Sequence, residues 1–305
     1  MTATESKRAF FAVLTEAGKS YDILGYTIWW NIRNADVTQE QFAKMLRDSG
    51  LDEKYAREHN YRSAFIRALR LMEEKRIIRK VEESPNFLVY QFTAEEKEGS
   101  GQNASLEYNQ ETIVVLSKSI YAKEKNFLAA LVKGREDIRK KVADYFEREK
   151  VRYGSSDVTR YIQKIFRDQA DLLNLRPQGC IYFVPASFQN IVTSVQSLIV
   201  ALGGGSSLEQ MPVPNVGSSR SLVSASFSEE AVALYKQLAA EIKVGLESGD
   251  LSDKSKEGRF SSLQELLNRI QLYSPILPEE STKDLIRKID GLGKSLFPER
   301  TLDLE

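Results

Sequence analysis

Residues 94–105 read AEEKEGSGQNAS, a polar run rich in small residues in which neither helical nor strand periodicity survives. Such a stretch offers no apolar face to a core, so it predicts a linker between a domain over 1–93 and another over 106–305. A chain of 305 residues is long enough for each part to bury a core of its own. Hydrophobic and charged fractions of 42% and 28% suit folded domains and exclude a disordered or fibrous chain.

Ahead of the linker, the spacing of apolar residues predicts helices over Lys7 to Ala17, Asp22 to Ile32, Thr38 to Asp48 and Lys54 to Glu74. Strands follow over Ile78 to Glu82 and Leu88 to Thr93, joined by the turn formers Ser84, Pro85 and Asn86. Ile23, Tyr26, Thr27 and Trp30 share one side of the second helix. Asp36, or Thr38 with Gln41 behind it, supplies the cap of the third. Between Lys54 and Lys80 nine basic residues meet three acidic ones, a local excess of six. The whole chain carries 43 residues of each sign, and residues 1–98 carry sixteen of each, so attraction to an anionic partner has to be local. Arg67 and Arg70 fall on the face opposite Phe65, Leu69 and Met72.

The order helix, helix, helix, strand, turn, strand, with RALRLMEEKRIIRKV at its centre, resembles the winged helix-turn-helix superfamily over residues 20–93. The resemblance implies an α+β fold with an N-terminal winged helix that binds double-stranded DNA. Asn60, Arg62 and Ser63 then sit near the end that enters the major groove. Arg67 and Arg70 line the recognition helix, and Arg76, Arg79 and Lys80 hold phosphate. The wing fits less well, because its tip holds no basic residue and follows Glu82 and Glu83. Winged helices also serve as protein-protein modules, and a neutral one suits that use. Two readings therefore stand. One is a non-enzymatic DNA-binding protein whose C-terminal domain oligomerises or senses a partner. The other is a protein-interaction subunit of a bacterial or phage assembly, for instance a defence or counter-defence component.

Beyond the linker the pattern predicts a strand over 111–119, helices over 124–150 and 156–175, a buried strand in CIYFVP, and a helix over 187–202. A Gly-, Pro- and Ser-dense loop over 203–221 holds a short strand around Leu208 to Val213, and helices follow over 228–247, 260–273 and 281–296. The fold class expected is α+β, with a small sheet in a helix-rich second domain. LLNLRPQGCIYFVPASFQNIV, residues 172–192, resembles an LRPxGxxYFVP-type segment of an uncharacterised family of bacterial and phage proteins. That resemblance implies no activity.

Chemistry is constrained by scarcity. Cys180 and His59 are the only cysteine and histidine, which removes an intramolecular disulfide and a zinc site built from Cys and His. Cys180, at the head of an apolar run, is expected to be buried, and His59, among charges, exposed. GLGKS at 291–295 has Lys288 where a phosphate-binding loop needs its first glycine, and reads as a helix end at Gly291 or Gly293. GGGSS at 203–207 follows a helix and is no dinucleotide fingerprint. The expectation is a non-enzyme without cofactor or metal. No apolar run is long enough for a bilayer and no secretory signal opens the chain, so a cytoplasmic protein is expected.

Overall fold

A computed structural model describes residues 22–72, 76–84, 87–98, 105–117, 129–133, 136–176, 179–249 and 251–302. The helix read over Lys7 to Ala17 lies outside them. The protein is α+β. Its strands are β1 (Ile23–Asn31), β2 (Asp36–Thr38), β3 (Arg76–Glu83), β4 (Phe87–Glu98), β5 (Ser105–Ser117), β6 (Ala129–Lys133), β7 (Arg152–Gly154), β8 (Leu173–Asn174), β9 (Tyr182–Pro185) and β10 (Ser207–Pro214). Its helices are α1 (Gln39–Asp48), α2 (Tyr61–Arg70), α3 (Glu136–Lys150), α4 (Ser155–Gln169), α5 (Gln189–Leu202), α6 (Gly217–Ser248), α7 (Asp253–Tyr273) and α8 (Glu279–Leu296).

The chain divides into two compact units. One comprises Met1–Asn31, Arg160–Val200 and Gly205–Glu305; the other comprises Ile32–Thr159 and Ala201–Gly204. Residues 94–98 and 105, read as linker, are strand residues: β4 pairs with β5 out to Glu98 opposite Ser105. An antiparallel pair does not need an apolar side chain at every rung, so a polar run can continue a ladder that its neighbours nucleate.

The first unit is built on an antiparallel sheet of order β10-β1-β9-β8. Its central strand, β1, corrects the helix expected over Asp22 to Ile32. ILGYTIWWN is rich in β-branched and aromatic residues, and it is flanked by β10 on one side and β9 on the other. Tertiary pairing with segments far along the chain overrides an apolar spacing that suits either structure. Gly25 is needed there, because a Cβ would lie 2.4 Å from the Val184 carbonyl oxygen and 2.5 Å from the Phe183 ring. Phe183 joins Val223 and Phe227 of α6, Leu266 and Ile270 of α7, and Ile289 of α8 in one core. Trp30 stacks on Tyr182 at 5.0 Å and on Phe166 of α4 at 5.9 Å. The helix read through GLGKS runs on to Leu296 rather than ending at either glycine, and at Gly293 an added Cβ would lie 3.1 Å from Leu302.

In the second unit α2 and α3 cover one face of the sheet β3-β4-β5-β6. Phe65 and Leu69 of α2, Leu88 and Phe92 of β4, Val114 and Leu116 of β5, and Val142 and Phe146 of α3 form a continuous core. Within the stretch expected as one helix over 124–150, Ala129–Lys133 is the strand β6 and only Glu136–Lys150 is helix, α3. Between β2 and α1, Thr38 closes the expected capping box with Gln41. β2 pairs with β7, and Arg152 and Asp36 form an ion pair across that ladder that holds the Asp36 carboxyl below its usual range.

Candidate functional site

The eight residues expected to contact DNA belong to the second unit, on α2 and β3. The helix expected over Lys54 to Glu74 is shorter and later. Glu53–Tyr55 is a single 3-10 turn, residues 56–60 are non-helical, and α2 starts where the Asn60 side chain accepts from the Arg62 backbone N–H at 2.9 Å. Ala64, Phe65, Ala68 and Leu69 bury one face of α2, and Arg67 and Arg70 complement its C-terminal dipole.

That geometry changes what several of these side chains can do. Asn60 is a helix cap. Arg67 is partly buried and donates to Asp157, whose carboxylate also accepts from the Gly154 backbone N–H at 3.0 Å. His59, expected to be exposed, is 9% exposed, and its Nε2 donates to the Arg152 carbonyl at 2.8 Å. Arg62 pairs with Glu83 at 3.0 Å, and Lys80 pairs with the same carboxylate at 2.7 Å. Ser63, Arg70 and Arg79 are exposed. Arg76 lies in β3 opposite Ala94 of β4.

The β3–β4 hairpin carries a feature that the charge pattern did not suggest. A bulge between Lys80 and Glu82 leaves Val81 unpaired, and Val81 is 51% exposed. Phe87, at the start of β4, is 42% exposed, and its backbone N–H donates to the Ser84 hydroxyl at 3.0 Å. The end of the hairpin therefore shows an aliphatic and an aromatic side chain beside Glu82, Glu83, Arg62 and Lys80.

The first unit holds a second set of ionised groups that sequence reasoning missed. Asp171, which is buried, accepts from Arg269 Nε at 2.5 Å and from the Tyr273 hydroxyl at 2.6 Å, and Arg269 also reaches Glu230 at 2.8 Å. Burial and the neighbouring Asp171 carboxylate push the Tyr273 hydroxyl well above its ordinary value. Asp171, Glu230 and Arg269 line a polar cleft of about 650 Å³. Asp171 and Arg269 are 98 positions apart, so no local spacing announces them. Cys180, expected to be buried, is exposed, because β9 begins only at Tyr182. Among the described residues no group of three or more His, Cys, Asp and Glu could hold a metal ion, and no helix is long and apolar enough to cross a membrane.

An α+β chain of two units, with charged and apolar side chains at the end of one hairpin, is the class that the fold defines. The chain belongs to the Family of unknown function (DUF6744), whose model matches residues 23–293 and so spans parts of both units. No curated protein and no solved structure matches it.

Proposed function

We propose that this is a non-enzymatic cytoplasmic protein-interaction subunit, and that the α2–β3–β4 surface of its second unit docks on a protein partner. One observation carries the reading. The hairpin end exposes Val81 and Phe87, while Arg62 and Lys80 share the Glu83 carboxylate and Arg67 pairs with Asp157. Aromatic and arginine side chains interleaved with satisfied charges suit a protein interface, where desolvated apolar anchors sit inside a polar rim. A DNA-binding wing needs the reverse, uncompensated cations reaching phosphates.

Arg70 and Arg79 support the second reading, duplex DNA binding, because both are exposed. The two readings separate in an electrophoretic mobility assay with duplex DNA at low salt. The protein-partner reading expects no shift. A shift that is lost in Arg70→Glu/Arg79→Glu, and that weakens steeply as salt is added, would establish the DNA reading in its place.

A further inference from the structure

The polar cleft of the first unit is walled by one face of each of two helices. Glu230, Leu234, Leu238 and Glu241 of α6 stand at i, i+4, i+8 and i+11, and Ser262, Glu265 and Arg269 of α7 stand at i, i+3 and i+7. Arg167 of α4 and Asp171 just beyond that helix complete the charged lining. Leu238 and Leu266 are buried, so the wall between the charges is apolar and fixed by packing. The volume of about 650 Å³ falls within the range of roughly 300–1,000 Å³ that takes small organic ligands.

The charges of this lining do not all cancel within the protein. Glu265 and Arg269, four positions apart on a helix, are spaced to pair, but the Arg269 guanidinium is held by Asp171 at 2.5 Å and by Glu230 at 2.8 Å. Glu241 lies 3.7 Å from Arg259. The acids next to Arg167 are engaged as well, Asp168 by Lys164 at 3.0 Å and Asp171 by Arg269. Among the described residues neither Arg167 nor Glu265 makes an ion pair or a side-chain hydrogen bond. One cation and one anion of the same cleft are thus left to a ligand. A purely anionic ligand would meet the carboxylates of Glu241 and Glu265, and a purely cationic one would face Arg167 as a like charge. We infer that the cleft binds a small zwitterion with an apolar body, the chemistry of a short apolar peptide with free ends. Its carboxylate meets Arg167, its ammonium meets Glu265, and its side chains cover Leu234, Leu238 and Leu266.

Calorimetric titration of the full chain with trileucine tests this. The free peptide is expected to bind, and Arg167→Gln and Glu265→Gln, both at exposed positions, are each expected to weaken it about tenfold, the size of one charge-assisted hydrogen bond. The N-acetylated peptide is expected to bind the parent as weakly as Glu265→Gln binds the free peptide, and to lose nothing further in that variant. The C-terminal amide is expected to stand in the same relation to Arg167→Gln. No binding of trileucine at about 1 mM, equal affinities in the parent and both variants, or blocked peptides that bind as tightly as the free one would overturn the inference.

Discussion

Arg67 of α2 and Asp157 of α4 form an ion pair although they stand 90 positions apart in sequence, and the Asp157 side chain is only 4% exposed. A residue placed by its spacing on a DNA-reading face is instead part of the internal framework of its unit. Asp157→Ala would leave the Arg67 charge without its partner in a partly buried site. The loss is expected to be about 3 kcal/mol, near the lower end for a broken buried pair because Arg67 keeps some solvent. Chemical denaturation measures it. Lys80→Ala, which breaks a surface pair with Glu83, is expected to change stability by under about 1 kcal/mol.

Asp171 and Tyr273 give a prediction about pH. The Tyr273 hydroxyl has a raised value in the folded protein, so its contribution is complete below the ordinary tyrosine range near 10. As pH rises above that range the unfolded chain ionises this hydroxyl while the folded one keeps its proton, and stability falls. Tyr273→Phe is expected to lower stability at neutral pH by about 1.5–3 kcal/mol, through the lost hydrogen bond to a carboxylate, and to flatten the decline above pH about 10. Denaturation curves recorded across that range test both halves.

Two glycines should respond oppositely to alanine. At Gly25 a Cβ has no room beside Val184 and Phe183, so Gly25→Ala is expected to cost roughly 1–3 kcal/mol or more. At Gly291, inside α8, a Cβ meets nothing within 4 Å, and Gly291→Ala is expected to stabilise by about 0.5–1 kcal/mol. Thermal melts of the two variants check the signs.

Sequence made the local features legible and left the distant ones hidden. The Thr38–Gln41 capping box, the buried strand in CIYFVP and the inward stripe of Phe65, Leu69 and Met72 all depend on neighbours a few positions away, and all are present. β1 was misread because Ile23, Tyr26, Thr27 and Trp30 satisfy a helical spacing. What makes them a strand is pairing with β9 and β10, more than 150 residues on. Arg62, Arg70, Arg79 and Lys80 are exposed, as a charged face requires, yet Asp157, which pairs with Arg67, is connected to α2 by no spacing rule. Val81 escaped notice because a bulge, which local sequence did not disclose, decides where its side chain points.

Photo-crosslinking from position 87, with a photoreactive phenylalanine analogue replacing exposed Phe87 in the full chain inside its native cell, tests the docking surface most directly. The account predicts covalent capture of one protein, lost when Val81→Asp is introduced and absent when the analogue replaces Leu272, exposed in the other unit. Crosslinks to nucleic acid, or a capture pattern that Val81→Asp leaves unchanged, would contradict it.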